Sequence, residues 1–172
     1  MTLRLSVFPL DKSPGFLLHR TDRQMAAGLQ RAFQAQGHEL TAEQWGVLSR
    51  LWEEEGIHQS ELALRSAKDR HNITRILNVL ERNGFIRRRP DHRDKRCFNV
   101  HLTAAGRALQ RQVTPIVLDY LEKCLAGFTE ADVEALRRLH ERILGNLEGI
   151  QVEEEDPRPQ DGHGGRGSRH ET

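Results

Sequence analysis

The sequence predicts a mainly α-helical protein with one small β-hairpin. Apolar residues recur at steps of three and four along several separate stretches, which indicates amphipathic helices, whereas one segment near residue 100 alternates apolar and polar residues as a strand does. The chain has 172 residues, of which 37% are hydrophobic, and this is enough for one sizeable core. We therefore expect one domain with appendages.

Two amphipathic helices are predicted before residue 57. The first runs from Ser13 to a left-handed cap at Gly37, and its apolar positions are Leu18, Met25, Leu29, Ala32 and Phe33. The second begins at Thr41, where Gln44 three residues later has the spacing of a capping box, and Gly56 stops it. Its apolar face, which we expect in the core, carries Trp45, Leu48 and Trp52.

Two shorter helices follow and are joined by the turn at 66–68. The first is predicted to run from Gln59 to about Arg65. Asp69 is a good N-terminal cap for the second, which should end at Gly84. The buried face of this second helix is predicted to consist of Ile73, Ile76, Leu77 and Leu80. Together the two helices make a helix-turn-helix.

After this helix-turn-helix the sequence period changes from 3.6 to 2. Phe98, Val100 and Leu102 alternate with polar residues, and residues 85–89 are predicted to form the antiparallel partner strand. The turn between the strands, residues 90–95, is too charged to be buried. The hairpin is therefore expected to protrude as a wing.

Two further helices are predicted beyond the hairpin. Thr103 caps a long one, which Pro115 is expected to bend, and Thr129 starts the last one. Residues 151–172 are mostly Glu, Asp, Gly, Pro, Arg and His, a composition that predicts a disordered tail. The last helix repeats its apolar face at alternating steps of three and four, which is typical of packing against other helices, at Val133, Leu136, His140, Ile143, Leu147 and Ile150.

Positive charge is concentrated in one segment of the chain. Between Lys68 and Arg96 there are ten Lys or Arg against four Asp or Glu, a surplus of +6, whereas the whole chain carries a formal +1 and the remainder therefore −5. A basic surface on an otherwise acidic molecule is typical of a polyanion site. We therefore expect a nucleic-acid partner.

Other functional classes are not indicated by the sequence. No stretch approaches the roughly 18 uninterrupted apolar residues of a membrane span, and the first residues lack a signal-peptide pattern, so a cytoplasmic protein without a membrane partner is expected. Cys97 and Cys124 have neither disulfide-framework nor zinc-site spacing. Because we find no nucleophile–base pair, no phosphate-binding glycine loop and no paired acids, we expect no enzyme activity, no catalytic residue, no cofactor and no metal.

The order of elements and three stretches of sequence resemble the MarR family of bacterial transcriptional regulators, across roughly residues 13–148. Residues 40–48 (LTAEQWGVL) resemble that family's second-helix signature, and residues 69–86 are similar to its recognition helix and exit turn. Residues 91–96, followed by 102–106, resemble its wing and the start of the next helix. Three matches in the right order and at fitting separations make the resemblance specific.

This resemblance implies a mainly α fold with a small β wing, namely a winged helix-turn-helix domain plus a helical dimerisation region. It also implies a homodimer that binds an inverted-repeat operator in double-stranded DNA, usually to repress transcription. The implied division of the chain is an N-terminal arm with the first dimerisation helix at 1–37, the winged helix-turn-helix DNA-binding domain at 38–102, C-terminal dimerisation helices at 103–150 and the disordered acidic, Gly-rich tail at 151–172.

The predicted recognition helix supplies the first group of DNA-contact candidates. Such a helix reads bases mainly through its N-terminal half. Asn suits adenine and Arg suits guanine by bidentate geometry, so Asn72 and Arg75 are the strongest candidates. The whole group, with the last turn residue included, is Lys68, Arg70, His71, Asn72, Thr74 and Arg75.

The wing supplies the second group, because a narrow minor groove attracts inserted cations. We expect Arg93, Lys95 and Arg96 to serve there, with Arg96 alternatively structural, and Asp94 to hold the shape of the hairpin. Lys95 replaces an Arg that is frequent in the family, which keeps the charge but loses the planar fork. The arginine triplet at 87–89 is interpreted as a solvated face.

A small aromatic or phenolic effector and a cleft for it near His19, Trp45 and Val113 are expected from the resemblance alone. A further departure from the family is His58, which stands where Thr or Ser often caps a helix. An alternative hypothesis is a winged-helix module that binds protein and has lost operator recognition. The basic segment argues against that alternative.

Overall fold

The computed structural model describes residues 9–92 and 97–150, and the chain divides into two compact units, one ending at Ala126 and the other beginning at Gly127. The predicted tail, residues 151–172, lies outside the described residues. The mainly helical fold class with a small winged sheet is confirmed. The elements in chain order are a 3₁₀ turn (Leu10–Lys12), α1 (Pro14–Ala35), α2 (Ala42–Glu53), β1 (Ile57–His58), α3 (Gln59–Arg65), α4 (Arg70–Arg82), β2 (Ile86–Pro90), β3 (Phe98–Leu102), α5 (Ala104–Cys124) and α6 (Glu130–Glu148).

The helices begin where side chains satisfy the free backbone N–H groups of the first turn. The Thr41 hydroxyl accepts from the Gln44 amide at 3.1 Å, and the Gln44 side chain accepts from the Thr41 amide at 3.1 Å, so the predicted capping box is confirmed. The side chains of Asp69, Thr103 and Thr129 likewise accept from the amide three residues later. His58 precedes α3 without a side-chain cap, as its residue type predicts.

The turn after α4 corrects the predicted start of the hairpin by one residue. Gly84 has φ +77°, the left-handed conformation that favours glycine, and it lets the Phe85 amide donate to the Leu80 carbonyl at 2.9 Å. The Phe85 carbonyl then accepts from the Thr103 amide at 2.9 Å. Because both backbone groups of Phe85 serve these contacts, β2 begins at Ile86, and the expectation of a strand over 85–89 was wrong by one position.

The sheet has three antiparallel strands in the order β1-β3-β2. Ile86 pairs with Leu102 at the end of the hairpin next to the helices, where both side chains are buried, and Pro90 pairs with Phe98 at the far end. Phe98 is 42% exposed. The hairpin is therefore anchored at one end and projects at the other.

Helices α1 and α5 pack onto the core of the winged domain within the first unit. Phe33 of α1 and Val113 of α5 are completely buried in the same apolar cluster as Leu48 and Leu77. The Tyr120 hydroxyl donates to the Met25 carbonyl at 3.0 Å, and this bond ties α5 to α1. Trp45 and Trp52, which were predicted to lie in the core, are partly buried and pack against this cluster.

Helix α6, described by itself, carries an apolar face that is exposed in the single chain. The residues predicted for this face are each 39–62% exposed, apart from the half-buried His140. Leu139 and Leu144 widen the face. A stripe of this length is typical of a helix that packs against other helices.

Candidate nucleic-acid interface

Helix α4 separates a buried apolar face from an exposed polar one. Ile73, Ile76, Leu77 and Leu80 are at most 2% exposed, as predicted. Arg70, His71 and Arg75 are exposed, and Asn72 and Thr74 are half-buried. The N-terminal half of the helix thus presents polar side chains outward, in the arrangement that a recognition helix needs.

Asp69 organises the start of this helix and one of its candidate base-reading side chains. One carboxylate oxygen of Asp69 accepts from the Asn72 backbone amide at 2.8 Å, and the other accepts from the Asn72 Nδ2 at 2.6 Å. These two hydrogen bonds hold the pKa of Asp69 below its ordinary value. The Asn72 side-chain amide is therefore oriented before any ligand arrives.

Thr74 is engaged within the helix-turn-helix. Its hydroxyl donates to the Arg70 carbonyl at 2.7 Å and accepts from Gln59 Nε2 at 3.0 Å. Because Gln59 is the first residue of α3, this pair of bonds connects the two helices of the motif. Thr74 thus positions α4 on α3 in addition to facing the polar side.

Lys68 and Arg75 share one carboxylate. Glu43 Oε1 accepts from Lys68 Nζ at 2.8 Å, and Glu43 Oε2 accepts from Arg75 Nη2 at 3.1 Å. The hydrogen bond and charge of Lys68, followed by those of Arg75, outweigh partial burial and lower the pKa of Glu43. Sequence reasoning missed Glu43, because it lies 25 and 32 residues from its two partners and no local pattern reports so long a separation.

The arginine triplet at 87–89 is not uniformly solvated. Arg87 and Arg89 are exposed, but Arg88 is half-buried and donates to Glu81 through Nε at 2.9 Å and Nη2 at 2.6 Å. Its Nη2 also donates to Asn78 Oδ1 at 2.7 Å. Strand alternation turns the middle arginine toward α4, so the interpretation of a solvated face was wrong for Arg88.

The candidate wing residues Arg93, Asp94, Lys95 and Arg96 lie outside the described residues. The two hairpin strands stay joined beyond Pro90 and Phe98, because the Asp91 amide donates to the Cys97 carbonyl at 2.9 Å. Asp91 Oδ2 accepts from Asn99 Nδ2 at 3.0 Å and lies 3.5 Å from His58 Nε2. The hairpin strands are thus joined to the start of α3 beside the polar face of α4.

A cavity of about 670 Å³ lies between α1, α2, α5 and the turn before α4. Trp45 lines it, but the other two expected residues do not: Val113 is completely buried in the core, and Asp22 and Arg23 stand one turn beyond His19 on the wall. Val117, one turn beyond Val113, lines the cavity on the side of α5. The apolar wall comprises Met25, Ala26, Leu29, Trp45, Val117, Tyr120 and Leu121.

The same cavity has a basic rim. Arg23, Arg50, Arg65 and Lys68 line it together with the acidic Asp22 and Glu43, so cations outnumber anions by four to two. An apolar wall beside a cationic rim fits an amphipathic anion. Helical steps of three or four from the expected residues would have found Arg23 and Val117.

Among residues 9–92 and 97–150, no three His, Cys, Asp or Glu side chains converge as a metal site would require. Within the same ranges, every helix is too short or too polar to cross a membrane.

Comparison with known proteins gives matches to regulators of transcription. The family model described as MarR family matches residues 40–98. The chain is 35% identical over 116 residues to the HTH-type transcriptional regulator TtmR of Methylorubrum extorquens (strain PA1), with 67% of this chain and 55% of TtmR covered. It therefore spans only about half the length of that relative.

Two more relatives are covered over most of their length. The homoprotocatechuate degradative operon repressor of Escherichia coli is 31% identical, with 63% of this chain and 75% of the repressor covered. The solved structure of the transcriptional regulator MOSR of M. tuberculosis, in complex with DNA, is 27% identical in sequence to this chain. The two superpose with a TM-score of 0.70, and the match covers 81% of this chain and 99% of the MOSR chain.

Proposed function

The chain belongs to the MarR family, and we propose that it is a sequence-specific regulator of transcription that binds duplex DNA as a homodimer. One observation carries the proposal. Helix α4 buries its apolar face completely and presents Arg70, Asn72 and Arg75 outward from its N-terminal half. The structure of MOSR, a protein of the same fold, was solved in complex with DNA, which supports DNA binding by this fold.

The exposed apolar face of α6 supports the homodimer. Five of its predicted positions, Val133, Leu136, Ile143, Leu147 and Ile150, leave 39–62% of their area open in one chain. A second copy of the same helical region would cover such a stripe, as in other two-fold helical interfaces. A two-fold dimer displays two copies of α4, which fits an inverted-repeat operator whose half-sites are about one helical turn apart.

The cavity supports control by a small molecule. Its apolar wall suits an aromatic ring and its basic rim suits a carboxylate. The rim includes Lys68, which directly precedes Asp69, the N-cap residue of α4. We propose that such a ligand releases the operator and that the protein acts as a repressor. The name of the E. coli repressor favours this sign, whereas BadR of Rhodopseudomonas palustris, also 31% identical, is named as an activator. A promoter–reporter fusion therefore tests the sign of regulation.

DNA binding is tested by fluorescence anisotropy on duplexes selected from a random library. A dimer that neutralises about six phosphates loses about a thousandfold in affinity between 50 and 200 mM salt. Gel filtration with and without the selected duplex gives the stoichiometry. Binding that is absent at low salt, or that does not change with salt, would refute the proposal and favour a protein-binding module instead.

The effector is tested by thermal-shift screening of aromatic acids, each with its neutral amide as a matched control. The basic rim predicts that the acids stabilise the protein and the amides do not, because only the acids carry the charge that the rim neutralises. Acids that raise Tm are then added to the DNA complex. Equal shifts from acids and amides would contradict an anionic ligand.

A further inference from the structure

Glu43 contacts both the wall of the cavity and the recognition helix. We propose that Glu43 is a relay through which an anion in the cavity controls DNA binding: an anion that pairs with Lys68 leaves Glu43 to hold Arg75, and Arg75 is then kept from DNA. This inference rests on the proposed function and adds to it the residues and the sign of its regulation.

The two halves of the relay use different atoms of one carboxylate. Glu43 Oε1 meets Lys68 at 2.8 Å, and Oε2 meets Arg75 at 3.1 Å. The Lys68 side chain is 28% exposed, whereas that of Arg75 is 63% exposed. Lys68 is therefore the closer and better shielded partner, and Arg75 is the one that solvent and DNA can reach.

The cavity offers an anion few other cations that are not already paired. Arg50 contacts Glu53, and Arg65 contacts both Glu54 and Glu61. Among the described residues, Arg23 makes no ion pair, and Lys68 is paired only with Glu43. An anion in this cavity can thus pair with Arg23 without breaking an existing ion pair. To pair with Lys68, however, it must compete directly with Glu43.

The turn that carries Lys68 has features that favour a second arrangement. Ala67 has φ +49°, a left-handed conformation that costs a residue with a Cβ about 1 kcal/mol. The Ser66 hydroxyl is buried with no hydrogen-bond partner among the described residues. Both residues line the cavity, so a ligand that pairs with Lys68 binds beside a turn that already holds a strained residue and an unsatisfied hydroxyl.

The first test is the affinity of Glu43→Gln for a selected duplex. Because the Glu43–Arg75 pair is exposed, its loss should free Arg75 and tighten binding by about two- to fivefold for each half-site. Glu55→Gln is the matched control, since Glu55 pairs with Arg107 at 2.6 Å and touches neither the cavity nor α4. Glu43→Gln must exceed that control, and an equal or weaker affinity overturns the relay.

Double-mutant cycles separate the relay from simple charge effects. The gain from Glu43→Gln should disappear when Arg75 is already replaced by Ala. Lys68→Met should weaken DNA binding in the wild type, because Glu43 then pairs with Arg75 alone. In the Glu43→Gln protein the fold loss in affinity caused by Lys68→Met should be smaller by a factor of at least about two, because no carboxylate remains to hold Arg75. Equal effects in both backgrounds would mean that Lys68 acts on DNA directly, and the relay would be wrong.

A third cycle pairs Lys68→Met with Arg75→Ala and needs no variant of Glu43. The relay predicts that part of the effect of Lys68→Met vanishes once Arg75 is absent, and full additivity overturns it even where Glu43→Gln does not fold. Failure of the relay is distinct from failure of the proposed function. In the first case the wild type binds DNA with a steep salt dependence but the cycles are additive, and in the second it does not bind DNA.

Discussion

Replacement of Arg88 by Met should destabilise the protein by disconnecting the hairpin from α4. The guanidinium makes hydrogen bonds of 2.6–2.9 Å to Glu81 and Asn78, and the two side chains of the ion pair are only 22% and 35% exposed. Hydrogen bonds to charged groups contribute about 1.5–3 kcal/mol when they are buried, and exposed ion pairs contribute under about 1 kcal/mol. The intermediate burial of this pair points to a loss of about 2 kcal/mol.

The assay is urea denaturation at one fixed protein concentration, since dimerisation makes apparent stability depend on concentration. For a chain of this size, a loss of about 2 kcal/mol also lowers Tm by about 4–8 °C. Arg87→Met is the matched control, because Arg87 is the exposed neighbour in the same strand and should cost under about 0.5 kcal/mol. Equal stability of the two variants would refute the reasoning.

The pH dependence of this difference checks its electrostatic origin. Burial of Glu81 opposes ionisation, but the hydrogen bonds and charge of Arg88 outweigh it and hold the pKa of Glu81 below its ordinary value. A carboxyl group whose folded pKa is lowered contributes stability above its unfolded pKa and loses it as pH falls through the folded pKa. The gap between wild type and Arg88→Met should therefore narrow as pH falls below about 4.5. A gap that stays constant down to pH 3 would indicate packing instead.

Three further outcomes are expected. Arg75→Ala should reduce the discrimination between bases at one operator position by about 1–3 kcal/mol, whereas Arg93→Ala should lower the affinity for all duplexes alike. Selection from a random library distinguishes the two variants. If the Arg75→Ala protein selects the same sequences as the wild type, Arg75 does not read a base. Gly106→Ala should lower the free energy of unfolding by at least about 2 kcal/mol, because an added Cβ would lie 2.1 Å from the Phe85 carbonyl oxygen. Gly46→Ala is the control: no atom lies within 4 Å of its added Cβ, so it should raise the free energy of unfolding by up to about 1 kcal/mol. Equal thermal midpoints of the two variants would contradict this geometry. Burial, then the charges of Arg89 and Arg87, lower the pKa of His101, so stability should fall as pH drops below about 6.5, and His101→Gln should flatten that dependence in urea titrations between pH 7 and 5.

Features that depend on neighbouring residues were predictable from the sequence. The capping box at Thr41 and Gln44 spans three residues, and the left-handed Gly84 ends α4 through bonds to residues three and five positions back. The apolar face of α4 followed from helical spacing alone. In each case the interacting groups are close in the chain, so spacing in sequence reports distance in space.

Features that depend on tertiary placement were not predictable. Val113 and Val117 stand one turn apart on the same face of α5 and are both buried, yet only Val117 also lines the cavity, a difference that helical spacing does not report. Arg88 stands between two exposed arginines in the sequence, and only its place beside α4 pairs it with Glu81. Glu43 joins residues from two later segments, so its role could be found only from the folded chain.

The double use of Asp69 affects how operator preference can change in evolution. The helix start depends on the backbone amide at position 72, whereas the bond to Asn72 Nδ2 depends on the side chain there. A new side chain at position 72 forfeits the second bond and keeps the first, so the recognition helix still begins at the same place. Descendants of this protein can therefore acquire new target sites through that position without first having to repair their fold.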